Sequence, residues 1–381
     1  MKTYEVIATT TFGLEAVVKR ELINLGFEIK SSENGKITFL ADRKGIIKAN
    51  MWLRSADRVL LKIAEFKAVT FDELYDKTKQ INWIEFIPKN GRFPVDGQSV
   101  KSTLFSISDS QAIVKKAIVD SLKDVYKINW FPEDGPIFNV KVSLLKDIAT
   151  LTIDTSGTAL HKRGYRQNAV IAPLKETLAA ALVSLSFWNK DRVLIDPFCG
   201  SGTIAIEAAL IARNIAPGLY RDFACKYWPM FEDGLWKEVT KEAYESIDQE
   251  SKIEIYAYDI VQENIDAAIE NAEEAGVIDC ITFEQKDFKD LQVKEDYKIM
   301  ITNPPYGERL SEKEEVDKLY KLIGEKLSKL KTWSVYVITS DKNFETIYGK
   351  KADRRRKLYN GRIETTYYQF YGENPKKEAT E

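Results

Sequence analysis

From Pro173 onward, short apolar runs alternate with helical stretches, and the first run opens directly into Asp196-Pro197-Phe198-Cys199-Gly200-Ser201-Gly202-Thr203. A strand that is apolar along its whole length must be covered on both faces, and an intervening helix supplies that cover. Strands are expected at Arg192–Ile195, Glu254–Tyr258, Ile281–Gln285, Ile299–Thr302 and Ser334–Thr339. Helices are expected at Leu174–Leu185, Thr203–Ala212, Val261–Ala275 and Glu314–Leu330. Such alternation predicts an α/β domain with a mostly parallel, Rossmann-like sheet. Asn360-Gly361, set between two alternating runs within Lys357–Tyr371, predicts an antiparallel hairpin at the end of that sheet.

The preceding half reads differently. Tyr4–Thr9 and Lys36–Leu40 read as strands, and Gly13–Leu25 and Asp42–Asn50 as helices, giving a small ferredoxin-like α+β unit. Arg58–Phe66 reads as a strand, followed by a helix Thr70–Gln80 that Thr70 caps with Glu73 three residues on. Pro88–Gln98 reads as a polar loop, Val100–Ser106 as a strand, Ser110–Leu122 as a helix, and Ile137–Leu145 and Ile148–Thr155 as two strands. The expected domains are 1–57, 58–155 and 173–381, with a linker at 156–172 and roughly the last ten residues outside any packed element.

Composition removes several chemistries. A single histidine, His161, leaves no paired-His metal site, and three scattered cysteines (Cys199, Cys225, Cys280) make neither a disulfide framework nor a metal clip, so no metal is expected. No run approaches the ~18 apolar residues that span a bilayer, and the first residues lack a signal-peptide pattern. No membrane partner and a cytoplasmic location are the expectation. Residues 1–170 carry 26 Lys and Arg against 20 Asp and Glu, whereas 171–381 carry 30 against 38. The basic half is the better candidate for binding a polyanion.

Four strand ends carry candidate chemistry. Gly200 and Gly202 let backbone approach a ligand at the end of the first strand. Asp196 would accept hydrogen bonds from an ammonium group but would repel a pyrophosphate, and no phosphate-binding lysine follows. A cationic, amino-acid-like cofactor fits better than a dinucleotide. Asp259, with Ile260 after it, ends the second strand, where a carboxylate can take both hydroxyls of a ribose. Sixty-three residues separate Asp196 from Asp259, so the aromatic stretch Tyr220–Val239 is an insertion, either a structural flap or a substrate wall. Asp287-Phe288 follows the third strand and suits an adenine amino group and ring.

The fourth strand ends in Asn303-Pro304-Pro305-Tyr306. Two prolines fix φ and remove N–H donors, so the Asn303 amide and the loop carbonyls are left as positioned acceptors, beside a ring, Tyr306, that can stack on a base. Acceptors on the hydrogens of an aryl amine draw its lone pair back toward nitrogen. That suits methylation of an exocyclic amino group.

These residues resemble the class I methyltransferases: Asp196–Thr203 looks like their first cofactor loop, Asp259 their ribose acid, Asp287 their adenine contact, and Asn303–Tyr306 their amino-methylation motif. The resemblance implies S-adenosylmethionine as cofactor. It is shared by adenine-N6, guanine-N2 and protein glutamine methyltransferases. Residues 58–155, with Leu160-His161-Lys162-Arg163-Gly164-Tyr165-Arg166-Gln167 and Ala172-Pro173-Leu174-Lys175-Glu176, look like an RNA-binding THUMP domain joined to its catalytic domain. The whole is similar to bacterial THUMP methyltransferases that make N2-methylguanosine in 23S rRNA. This implies an RNA partner, 23S rRNA ahead of tRNA. An RNA-binding protein whose methyltransferase fold has lost activity is the reading from another class. Lys162, Arg163, Tyr165 and Arg166 suit phosphates and a stacked base, or a linker packed on the catalytic domain; Arg354-Arg355-Arg356-Lys357 suits RNA or a solvated loop.

Overall fold

The computed structural model describes residues 2–166, 174–294, 296–307 and 310–374, and these divide into two units, each built on a seven-stranded sheet. The first unit comprises 1–10, 19–160 and 221–242; the second comprises 11–18, 161–220 and 243–381.

In chain order the first unit runs β1 (Tyr4–Thr9), α1 (Glu15–Asn24, whose first turn belongs to the second unit), β2 (Glu28–Glu33), β3 (Lys36–Ala41), α2 (Arg43–Trp52) and β4 (Arg58–Lys67). It continues with α3 (Phe71–Lys79), β5 (Val95–Val100), α4 (Ile107–Tyr126), β6 (Val140–Leu145) and β7 (Ile148–Asp154). The strand order is β2-β3-β1-β4-β7-β6-β5, antiparallel throughout except for the β5–β6 pair. The two expected N-terminal subdomains therefore share one continuous sheet, with β4 as the seam. Asn50 locks that seam: buried on α2, its Nδ2 donates to Thr155 Oγ1 (2.9 Å), while its Oδ1 accepts from Ser156 Oγ (2.7 Å). Buried amides need such partners. Thr70 caps α3 as expected, accepting from Glu73 N at 3.2 Å.

Two edge strands depart from the expectation. β5 occupies Val95–Val100, where a loop was expected, and the strand expected at Val100–Ser106 is absent. Asp96, Gly97 and Gln98 carry no strand preference; their pairing comes from β6, and Gly97 admits α4, since a Cβ there would meet Gln111 Cγ at 3.0 Å. β2 is likewise polar, exposed and bulged between Ile29 and Ser31.

The aromatic insertion, apart from Tyr220, belongs to this first unit. Trp228 is buried, stacks on Phe138 with ring centroids 4.7 Å apart, and donates from Nε1 to Ile137 O (2.9 Å). Of the two roles expected for this stretch, Trp228 serves the structural one. Trp236 packs similarly on Phe223.

The second unit contains α5 (Glu176–Ser184), β8 (Leu194–Asp196), α6 (Thr203–Ala212), the end of α7 (Asp233–Glu245), β9 (Ile255–Asp259), α8 (Gln262–Glu274), β10 (Ile281–Gln285) and β11 (Ile299–Thr302). It closes with α9 (Leu310–Leu327), β12 (Ser334–Thr339), α10 (Phe344–Tyr348), β13 (Arg354–Asn360) and β14 (Ile363–Phe370). The order is β10-β9-β8-β11-β12-β14-β13; the first five strands are parallel and the hairpin is antiparallel, as the alternation and Asn360-Gly361 predict. Gln167 and Ala172 of the linker, Pro173 at the start of the next domain, and residues 375–381 lie outside the described residues. The order of connection reverses beside β8, between β9 and β11. In an open α/β sheet that switch point, at the carboxyl ends of the strands, is where a crevice forms.

Candidate active site

Asp196 ends β8 and Thr302 ends β11, so the two flank the switch point, and Thr302 Oγ1 donates to Asp196 Oδ1 at 2.6 Å. Phe198 N reaches the same oxygen at 3.3 Å. Only 1% of Asp196 is exposed, and burial, with Asp259 adding to it, pushes its carboxyl up to about 7 against those two hydrogen bonds. A buried carboxylate this weakly compensated favours a cationic partner.

The loop after β8 is stitched to β9. Cys199 N donates to Tyr258 O (2.9 Å) and Gly200 N to Asp259 Oδ2 (3.0 Å). Asp259 Oδ1 accepts from Val261 N (3.0 Å) and Asn264 Nδ2 (3.1 Å). Both oxygens are thus engaged by the chain, and acceptor capacity for a diol remains chiefly on Oδ2. Gly202 has φ +80°, and a Cβ on it would lie 3.0 Å from Ala268 Cβ, so glycine is what lets α6 pass α8. Gly200 also has positive φ, but a Cβ there would meet nothing within 4 Å: the loop faces open space. Burial raises the Cys199 thiol well above its ordinary value, which makes it a neutral wall rather than a nucleophile.

Beside Asp259, Ile260 stands 62% exposed. Phe198 lies 5.3 Å from the buried ring of Phe288. Asp287 accepts from Lys289 N (2.9 Å) and pairs with Lys289 Nζ (3.0 Å), and the Lys289 amide holds its carboxyl below the usual range. A carboxylate, an open glycine turn, a ribose-type acid and apolar surface thus share one end of the sheet. That donor set fits a cationic nucleoside.

The Asn303–Tyr306 loop leaves β11 at the same end. Tyr306 OH donates to Asn303 Oδ1 at 2.6 Å, which orients the amide and uses one of its two oxygen lone pairs. Tyr320, fully buried on α9, donates to Pro305 O (2.8 Å) and pairs with Thr339 Oγ1 (2.8 Å) at the end of β12. The Pro305 carbonyl is therefore taken, whereas no donor reaches the Pro304 carbonyl among the described residues. Nothing in its own motif points to Tyr320; a tyrosine at a core position of a helix does require a partner for its hydroxyl.

Of the two roles open to them, Arg163, Tyr165 and Arg166 take that of a linker packed on the catalytic domain and not that of RNA contacts. Arg163 and Tyr165 are buried, and both bind Glu207, a fully buried acid on α6: Arg163 Nε at 3.3 Å and Tyr165 OH at 3.1 Å. Arg166 Nη2 donates to Thr203 Oγ1 (2.7 Å) and Leu174 O (3.0 Å), and its guanidinium pairs with Glu176 at 3.4 Å. The physical reason is Glu207, the one charge in the otherwise apolar helix Thr203–Ala212, which cannot be buried unpaired. That signal was present in the sequence. These side chains brace the helix that opens from the glycine loop; only Lys162 of the four is exposed. Burial, helped by Lys175, Lys162, Arg163 and Arg166, pushes His161 down to about 4, a neutral structural histidine. Arg354–Lys357 forms most of strand β13 rather than a loop.

Strand order, switch point and the two facing loops define a class I methyltransferase. Comparison with known proteins gives its kind: residues 163–369 match the family described as RMKL-like, methyltransferase domain, residues 5–60 the RlmL ferredoxin-like domain, and residues 68–154 the THUMP domain. The chain belongs to the RMKL-like methyltransferase family. It is 52% identical over the full length of both chains to YpsC of Bacillus subtilis strain 168, provisionally named an RNA methyltransferase. The crystal structure of a provisionally named methylase of Clostridium difficile 630 is similar at TM-score 0.95 and 50% identity, covering 99% of this chain and all of that one. That of SMU.472, complexed with SAH, is similar at TM-score 0.93 and 43% identity, with 99% and 100% covered.

Proposed function

We propose that this chain transfers the methyl group of S-adenosylmethionine to the exocyclic N2 of a guanine in RNA, with 23S rRNA as the substrate. The observation that carries the reading is the Asn303–Tyr306 loop standing across the switch point from Asp196, with Thr302 joining the two strand ends. Asp196 and the open turn at Gly200 would hold the amino-acid end of the cofactor, Asp259 its ribose, and Ile260, Asp287 and Phe288 its adenine. When bound, S-adenosylmethionine supplies an already activated methyl group, so no strong base is needed. The chain's part is then to position the amine.

Asn303 Oδ1 has one lone pair beyond the bond from Tyr306, and the Pro304 carbonyl is the second acceptor that can take an amine hydrogen. Two acceptors on the two hydrogens return the lone pair to nitrogen and aim it. The Tyr306 ring stacks on the guanine, which must leave its own stack to enter. Cofactor choice is supported by SMU.472, which binds SAH, the product left when S-adenosylmethionine gives up its methyl group. RNA is supported by the THUMP match and by the name of YpsC. Guanine N2 and 23S rRNA rest on the sequence resemblance.

The test is to incubate the purified chain with tritiated S-adenosylmethionine and separate pools of unmodified 23S rRNA and tRNA. Label in the rRNA pool is the expected result. Label confined to tRNA would overturn the substrate, and label in neither pool would overturn methylation of free RNA.

A further inference from the structure

We propose that the tip of the β13–β14 hairpin, together with Phe12, is a second RNA contact that holds the strand flanking the target base; this rests on the reading of the chain as an RNA methyltransferase. The first observation is direction. β14 is antiparallel to β12 and β13 is antiparallel to β14, so β13 runs with the parallel strands. Tyr359, Asn360 and the turn therefore sit at the same end of the sheet as Asn303. Pairing with β12 ends at Thr339–Thr366, and β14 begins three residues beyond, at Ile363. The tip thus projects about 10 Å past the end of β12. Strand order places β13 three strands from β11, about 14 Å away, within reach of a few nucleotides around a base held at Asn303.

The second observation is charge. Residues 171–381 carry eight more acids than bases, yet residues 350–364 carry seven Lys and Arg against two acids. An acidic catalytic unit repels RNA, and this hairpin is the local exception. Arg355 pairs with Glu345 and Lys357 with Glu364, but Arg362, exposed at the turn, has no partner among the described residues. Third, rings accompany the cations. Phe12 is 48% exposed and meets Tyr359 edge to face at 6.2 Å, while Lys357 Nζ stands 5.6 Å from the Tyr359 ring. Gly13 allows this, since a Cβ on it would lie 2.6 Å from Lys357 O. An exposed ring, Phe12, and a half-buried one, Tyr359, among cations suit a single strand: rings stack on bases and guanidinium groups take phosphates.

The experiment measures binding of the full-length chain to a 23S rRNA transcript by filter binding across a salt series. Phe12→Ala combined with Arg362→Ala should weaken binding roughly 10-fold. It should also flatten the log affinity against log salt slope by about 0.7 to 0.9 for the lost cation. Arg362→Lys should restore the slope, and thermal stability and S-adenosylmethionine affinity should match wild type. Wild-type RNA affinity and slope in the double variant would overturn the contact, as would an equal loss in Lys252→Ala, an exposed cation away from the hairpin. The readout is binding, so the two readings fail separately. A wild-type chain that methylates RNA while the double variant binds normally overturns only the hairpin. A wild type that loses affinity on hairpin mutation but methylates no RNA overturns only the methyltransferase substrate.

Discussion

The loop after β8 is anchored by charge and the loop after β11 by neutral hydroxyls. Behind the first lie Glu207 with Arg163 and Tyr165, and Arg166 on Thr203; its own strand end, Asp196, is a buried carboxyl with two hydrogen bonds. Behind the second stand Tyr320 on Pro305 O and Tyr306 on Asn303. The difference follows the chemistry each loop has to do. A site for a cation gains from an underpaired negative charge close by, whereas a site that orients an amine needs acceptors whose direction is fixed and whose charge does not change.

That contrast can be broken from either side. The largest effect should come from Asn303→Ala, which removes an acceptor from the amine: methyl transfer should fall at least ~10³-fold, about 4 kcal/mol of barrier, with cofactor affinity unchanged by calorimetry. Loss of cofactor binding instead would place Asn303 in the wrong loop. Next is Glu207→Ala, which strands Arg163 in the interior; denaturant unfolding should show a loss of about 3–5 kcal/mol. A change below 1 kcal/mol would mean that the charged network does not brace α6.

Asp196→Asn should act in opposite directions on stability and function. Because burial raises its folded pKa from the ordinary 3.8 to about 7, the folded state holds that proton more tightly, and stability is lost as pH rises from about 4 to about 7. The asparagine variant escapes that loss. It should be more stable than wild type by on the order of 4 kcal/mol at pH 8 and nearly equal at pH 4, while losing cofactor affinity. A stability gain that does not depend on pH would refute the buried charge as its cause. The smallest effect belongs to Tyr320→Phe, which releases the Pro305 carbonyl: kcat should drop roughly 10-fold, about 1.4 kcal/mol, with both KM values held. A rise in cofactor KM would assign Tyr320 to the other loop.

The same contrast explains what the sequence revealed. Strands β8, β9, β11 and β12 are buried along nearly their whole length, so their apolar runs were legible, and Asn360-Gly361 announced the hairpin. β2 and β5 were not, because they are polar edges whose pairing comes from a neighbour rather than from their own side chains. At the site, residues carried by local motifs, Asp196 to Thr203 and Asn303 to Tyr306, were readable. Their supports come from elsewhere in the chain: Tyr320 lies 15 residues from Pro305, and Arg163 44 residues from Glu207. Local spacing does not encode such partners. Arg163 and Tyr165 looked like RNA contacts because a basic aromatic stretch reads the same whether it faces solvent or a buried acid.

The most direct test of the central claim is nucleoside analysis by mass spectrometry of 23S rRNA treated with S-adenosylmethionine and either wild-type chain or Asn303→Ala. The account predicts N2-methylguanosine with the wild type and none with the variant. N6-methyladenosine in place of N2-methylguanosine, or an equal yield from both proteins, would contradict it.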